Sequence, residues 1–361
     1  MTAALRQPDA SRRVRVMLVD DSAIVRGFMR RWIEEEPRIE LAKACSDGAQ
    51  AVAAAAAVRP DVIVLDIEMP NLDGLSALPQ LRKAAPDARI VMASTLTTQG
   101  AAQTVKALAL GAADFIAKPQ ASAMGSVDTY RRELIDKIVA LGQRAGHHPI
   151  AAPSTAPITL RPRPAHISPP AAMLVAASTG GPTALPAFLA PIARRIDAPI
   201  LIVQHMPASF TPVFAEKLET ALGKHCREAR EGDTLCDGAV LLAPGDKHMR
   251  IARCPAGRMI HLDQSEPVNF CRPAADPLFE SAAAAFGSRL LCVVLTGMGH
   301  DGRAGAAKIV EAGGRVIVQD EASSVVWGMP GAVAQAGYAE AVKPLKDLSQ
   351  LALRMMMGEA A

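Results

Sequence analysis

The chain has 361 residues, enough for two domains at roughly 100–200 residues each. Its 39 basic and 36 acidic residues are interspersed and leave a net charge of +3, which gives no basic face for nucleic acid. Half the residues are hydrophobic but only 3% are aromatic, so the cores are expected to be built from Ala, Val, Leu, Ile and Met.

Ser11-Arg12-Arg13 faintly resembles a twin-arginine export signal, but the apolar run after it is short and ends in Asp20-Asp21. The longer apolar runs, 51–58 and 290–296, fall well below the ~18 residues of a spanning helix, so no membrane insertion is expected. Six cysteines lie far apart with no Cys-x-x-Cys pair, and read as reduced thiols of a cytoplasmic protein.

From residue 14 to about 144, short β-branched runs alternate with amphipathic ones, the pattern of βαβ units and a parallel sheet. Strands are predicted at 14–19, 39–44, 62–65, 89–93 and 114–116, giving a five-stranded, doubly wound, flavodoxin-like α/β domain over 13–141. Residues 142–170, rich in Pro, Ala, Ser, Thr and His, are expected to be a flexible linker, with Arg161 and Arg163 keeping it solvated. Apolar runs resume at 172–176, 199–203, 239–242, 290–295 and 315–318. They predict a second α/β domain over 171–358, with a mainly parallel sheet and hairpins between Gly238 and Asp263. The glycines at 302, 305, 313 and 314 are read as tight turns, and Met355 to Met357 as core filler.

Ligands of an open parallel sheet sit beyond the carboxyl ends of its strands. In the first domain those positions carry Asp20, Asp21, Asp66, Ser94 and Lys118. A single Asp after a strand ordinarily caps the next helix, as Asp21 or Ser22 could do here. Carboxylates converging on one edge instead repel one another unless a cation shares them, and hard oxygen ligands suit Mg²⁺. A metal held by Asp21 and Asp66 with Asp20, together with a lysine and a hydroxyl, would neutralise a phosphoryl group arriving on a carboxylate. Asp66 is the candidate phosphoacceptor, Lys118 its ion-pair partner, and Ser94 the hydroxyl that senses the phosphate.

In the second domain, Ser178 ends a strand and is followed by Thr179-Gly180-Gly181-Pro182, where proline suits a first helical turn. Free amides at such a helix start favour an anion, whether a phosphate or an oxyanion. The loop has no lysine for a P-loop, and it begins with Ala176 where a hydrolase elbow has Gly. A serine before two glycines is by itself more often a cap or turn. Partners come from other strand ends: His205 after 199–204, and Asp301 after 290–296. A serine nucleophile needs a base, and that base needs a carboxylate, roles open to His205 and Asp301. Spacing alone leaves His248 open as the base and His300 as an accidental neighbour.

The segments VMLVDDSAIVR, VIVLDIEMPNLDGL, VMASTL and GAADFIAKP resemble a response-regulator receiver domain. That resemblance implies phosphorylation of Asp66 by a chemotaxis histidine kinase, and places Phe115 where the family has an aromatic that reports it. AASTGGPTALPAFL, LIVQHMPASFT, APGDKHMRI, NFCRPAADPLFES, VVLTGMGHDGRAG and QDEASSVVWGMPGAV resemble the catalytic domain of the chemotaxis protein-glutamate methylesterases. The second resemblance implies a Ser178–His205–Asp301 triad, with an oxyanion hole at Met298 and Thr179. It also implies hydrolysis of glutamate methyl esters, and deamidation of glutamines, on methyl-accepting chemotaxis receptors, with no cofactor for the ester chemistry. Two departures stand out: Ala176 replaces a common Gly, and Ala274 stands where Ser usually follows Arg-Pro, a change expected at the rim of the cleft. The competing readings are a non-catalytic phospho-dependent binding switch and a general serine esterase.

Overall fold

In the computed structural model of the chain, residues 12–119, 126–145, 158–162, 169–255 and 257–359 are described, and the chain divides into two units, Met1–Pro157 and Ile158–Ala361. The first unit alternates β1 (Val14–Val19), α1 (Ala23–Glu34), β2 (Ile39–Cys45), α2 (Gly48–Val58), β3 (Val62–Asp66), α3 (Gly74–Ala84), β4 (Arg89–Ser94), α4 (Thr98–Ala109), β5 (Asp114–Ala117) and α5 (Ser126–Ala145). The strands lie in the order β2-β1-β3-β4-β5 and every pairing is parallel. β3 is buried along its whole length, as expected of a strand covered on both faces. Helices start where a side-chain oxygen takes a free amide: Ser22, Asp47, Asp73 and Thr97 accept from Val25, Gln50, Ser76 and Gly100. Ser22 rather than Asp21 therefore caps α1, leaving the Asp21 carboxylate uncommitted to the helix. α5 runs to Ala145, past the boundary expected at residue 141.

The second unit contains β6 (Ala172–Ala177), α6 (Gly181–Ala193), β7 (Ile200–Gln204), α7 (Thr211–Leu222), β8 (Cys226–Glu228), β9 (Val240–Leu242), β10 (His248–Cys254), β11 (Gly257–Asp263), α8 (Ala275–Phe286), β12 (Leu290–Val294), α9 (Arg303–Glu311), β13 (Arg315–Gln319), α10 (Gly328–Gln335), β14 (Ala341–Lys343) and α11 (Leu345–Met356). A seven-stranded sheet runs in the order β14-β13-β12-β6-β7-β9-β8, again with every pairing parallel. β10 and β11 form the expected antiparallel hairpin. Ala172, Leu174 and Ala176 of β6 join Leu278, Phe279 and Ala282 of α8 and Met249 and Ile260 of the hairpin in one core. The alternate residues Met173, Val175 and Ala177 are equally buried, so β6 is covered on both faces.

Met355 and Met356 are buried as core, whereas Met357 lies exposed. Of the expected linker, Arg161 does more than solvate the chain: its amide donates to the Ala339 carbonyl (2.9 Å) and its guanidinium to the Gly314 carbonyl (3.1 Å). Arg163 lies outside the described residues. Among the described residues no helix is long and apolar enough to cross a membrane.

Candidate active site

β6 is a topological switch point: the chain leaves it for β7 on one side and returns as β12 on the other. A ligand crevice opens beyond the carboxyl ends of strands at such a point. Ser178 follows β6, His205 follows β7, and 296–301 follow β12. The register pairs Ala177 with Gln204, and the His205 amide donates to the Ala177 carbonyl at 3.2 Å, so Ser178 and His205 leave the sheet side by side. The Gln204 side-chain amide clamps the two ends, reaching the carbonyls of Ser178 (3.0 Å) and His205 (3.2 Å). From the other side, the Ser178 amide donates to the Thr296 carbonyl at 3.0 Å. The glycine pair answers to this crowding. Gly180 has φ +80°, and a Cβ on Gly181 would lie 2.0 Å from Gln204 Oε1.

His205 Nε2 is 2.7 Å from Asp301 Oδ2, and its Nδ1 is 3.4 Å from the Cys271 sulfur. Burial tends to lower the His205 pKa, but Cys271 and Asp301 beside it outweigh that and raise it well above its ordinary value. Burial also acts to raise Asp301, yet the bond and charge of His205 and the amides of Ala275 and Asp276 pull it to about 2. Asp301 is therefore ionised and accepts from Nε2–H, which leaves Nδ1 as the nitrogen beside the Cys271 sulfur. Among the described residues no hydrogen bond joins the Ser178 hydroxyl to His205.

Asp301 is held by the start of α8. Its Oδ2 accepts from the Ala275 amide at 2.6 Å and its Oδ1 from the Asp276 amide at 3.2 Å, an anion seated on a helix N-terminus. Ala274 is the N-cap of that helix, makes no side-chain cap bond and is fully buried, so it does not form the rim of the cleft. Asn269 Nδ2 bridges Asp301 Oδ1 (3.2 Å) and Asp276 Oδ2 (3.1 Å). Burial, then the neighbouring Asp301 charge, pushes Asp276 up to about 6. Reasoning from strand ends missed Asn269, Cys271 and Asp276; all sit in the segment NFCRPAADPLFES, whose distinctiveness was the available signal.

The amides of Thr179 and Met298 are engaged by no other described residue, and the buried Thr179 hydroxyl has no hydrogen-bond partner among them. His248, the alternative base, is fully buried and committed to backbone: Nδ1 to the Ala274 amide (3.2 Å) and Nε2 to the Glu266 carbonyl (3.2 Å). His300 is exposed next to Asp301.

In the first unit the switch point falls between β1 and β3. Lys118 Nζ lies 2.8 Å from Asp20 and 2.7 Å from Asp66. Carboxylate oxygens of Asp20, Asp21 and Asp66 lie within 4.8 Å of one another, an all-oxygen donor set that fits a hard divalent cation. Burial pushes Asp66 up to about 6, with Asp20 and Asp21 adding to the rise and Lys118 opposing it. Ser94 is tied to this cluster through its backbone, its carbonyl accepting from the Lys118 amide at 2.7 Å, while its hydroxyl lies 3.1 Å from the Gly100 carbonyl and 3.3 Å from that of Thr95. Phe115 is buried, with Lys137 Nζ 5.3 Å from its ring centroid.

A family profile described as CheB methylesterase matches residues 173–352, and one described as response regulator receiver domain matches residues 16–124. The chain is 52% identical over 338 residues to protein-glutamate methylesterase/protein-glutamine glutaminase 2 of Caulobacter vibrioides, covering 93% of this chain and 96% of that relative. It is 46% identical over 361 residues to the protein-glutamate methylesterase/protein-glutamine glutaminase of Nitrobacter hamburgensis, covering 96% and 95%. The crystal structure of the Thermotoga maritima CheB methylesterase catalytic domain matches with a TM-score of 0.50 at 35% identity, covering 52% of this chain and 100% of that one.

Proposed function

The chain belongs to the CheB methylesterase family, with a response regulator receiver domain ahead of the catalytic one, and from that premise we propose that it hydrolyses glutamate γ-methyl esters, and deamidates glutamines, on methyl-accepting chemotaxis receptors under control of phosphorylation at Asp66. The observation that carries the reading is the meeting of Ser178, His205 and Asp301 at the strand ends around β6, with His205 held 2.7 Å from Asp301.

Ser178 Oγ attacks the ester carbonyl and passes its proton to His205 Nδ1, the nitrogen left over once Nε2 is committed to Asp301. Nδ1 exchanges the Cys271 sulfur for the serine hydroxyl as substrate arrives. Asp301 stays ionised and stabilises the imidazolium, while the amides of Met298 and Thr179 receive the oxyanion. Collapse expels methanol, protonated from Nδ1. Water activated by the same nitrogen then cleaves the acyl-enzyme, giving glutamate and restoring Ser178. With glutamine, ammonia leaves in place of methanol.

Asp66 takes the phosphoryl group from a chemotaxis histidine kinase, Lys118 pairs with the acyl phosphate, and inhibition of the catalytic domain by the receiver is relieved. Asp20, Asp21 and Asp66 would hold Mg²⁺, which when bound supplies charge neutralisation for the phosphoryl oxygens. The test is methanol release from methylated receptor membranes, with and without a small phosphodonor plus Mg²⁺. Release is expected to vanish in Ser178→Ala, and in Asp66→Ala to keep its basal rate while losing the stimulation. Release surviving in Ser178→Ala refutes the nucleophile. No release from the folded parent chain on a cognate receptor favours the binding switch, and turnover of model esters indifferent to phosphodonor favours a general esterase.

A further inference from the structure

A two-residue turn beside the triad carries an aromatic that the proposed chemistry leaves unused. Val268 and Cys271 pair through both backbone bonds, Val268 amide to Cys271 carbonyl (3.1 Å) and Cys271 amide to Val268 carbonyl (2.9 Å). Between them Asn269 and Phe270 take φ +53° and +63°. Two consecutive left-handed residues are the pattern of a tight hairpin turn of the I′ type, which ordinarily uses Asn-Gly. Asn tolerates that backbone, but a bulky aromatic does so only under strain. The turn sets the direction of three successive side chains. Asn269 reaches Asp301 at 3.2 Å and Cys271 reaches His205 at 3.4 Å, while Phe270 is 84% exposed. It is the most exposed large hydrophobic among the described residues, and its Cα lies one peptide, about 3.8 Å, from residues that touch the triad on either side.

We infer that Phe270 is a specificity-determining residue: its ring packs on an apolar side chain flanking the esterified glutamate of the protein substrate and seats that segment over Ser178. The inference rests on the esterase reading of the site. An exposed aromatic on a fixed turn at a catalytic rim presents a large contact area with only two side-chain torsions to order, the property of aromatic anchors in protein interfaces. A small methyl ester carries no flanking side chain and gains nothing from the ring.

The test compares the full chain with Phe270→Ala, Phe270→Gly and Phe270→Tyr on methylated receptor membranes and on a small soluble methyl ester, with Ser178→Ala as blank for both. The Ala and Gly variants are expected to raise KM on the receptor about 10-fold, the effect of one interface anchor, and to lower the receptor-to-small-ester ratio of kcat/KM by the same factor. Tyr restores the ratio. Phe270→Gly also relieves the backbone strain, so its Tm does not fall, whereas loss of a purely structural residue would lower it. Equal losses on both substrates would mean that Phe270 acts through Asn269 or Cys271 and overturn the inference, as would an unchanged ratio. A rise in basal activity of the unphosphorylated chain would assign the ring to the receiver instead. Release that survives in Ser178→Ala would count against the esterase reading itself.

Discussion

Replacing Asp301 with Asn keeps the shape of the side chain and removes its charge, and the surroundings cannot absorb the exchange. Four donors converge on the carboxylate: His205 Nε2 and the Ala275 amide on Oδ2, the Asp276 amide and Asn269 Nδ2 on Oδ1. An amide has one accepting oxygen, so in either flip its NH₂ faces two of those donors. If NH₂ takes the Oδ2 position, His205 loses the partner that fixes its tautomer; if it takes the Oδ1 position, α8 and Asn269 lose theirs. Hydrogen bonds to a charged group contribute about 1.5–3 kcal/mol each, so losing two costs roughly 3–6 kcal/mol before relaxation. Part of this returns because Asp276, pushed up to about 6 in part by the Asp301 charge, no longer faces a second carboxylate. A net loss of about 2–4 kcal/mol corresponds to a Tm lower by roughly 5–15 °C for a unit of this size. The imidazolium formed during attack also loses its counter-charge, and the corresponding change in a serine protease triad costs about 10⁴ in kcat. Methanol release and thermal unfolding of D301N measure both. A variant within ten-fold of the parent in kcat would refute the assignment of Asp301, and a normal Tm with lost activity would refute the four-donor account of its stability.

The imidazole is active as a base only when neutral, so turnover is present above the His205 pKa and lost as pH falls through it. Cys271 helps to hold that pKa up; Cys271→Ala therefore lowers it, and the acid limb of the kcat/KM profile should move to lower pH. An unmoved limb would mean that the sulfur has no influence on the ring. Gly181→Ala places a Cβ 2.0 Å from Gln204 Oε1 and should break the clamp on the Ser178 and His205 carbonyls. Overpacking of this kind costs about 1–3 kcal/mol, and a kcat loss of about ten-fold or more should accompany it; an equally active, equally stable variant would show the clamp to be dispensable. Burial holds the Asp66 carboxyl up at about 6, so Mg²⁺ added to the metal-free protein should move its titration, followed by NMR of the carboxyl carbon, to lower pH. A titration unmoved by Mg²⁺ would show that Asp66 is not among the ligands of the metal.

Much of the site was legible because parallel sheets buried on both faces leave apolar runs in the sequence, and the residue after each run must stand at the carboxyl edge. That rule locates Asp20, Asp66 and Lys118 in one unit and Ser178 and His205 in the other from the sequence alone, and it places Asp301 on the loop beyond β12. The rule fails where an element is too short to carry a period, as with the three-residue edge strands β8 and β14, neither of which was expected. It also cannot say where a side chain points. Ser94 has the right address but turns its hydroxyl to the carbonyls of Thr95 and of Gly100 in α4, and His248 is set apart from His205 because both its nitrogens are occupied by backbone. The identity of the candidate nucleophile, base and acid was thus written locally, in the few residues just past each strand. The groups that hold them were decided by the tertiary structure alone: the amides of α8, Asn269 and Cys271 reach Asp301 and His205 from a segment distant in the chain, because a buried carboxylate must find donors wherever the packing brings them.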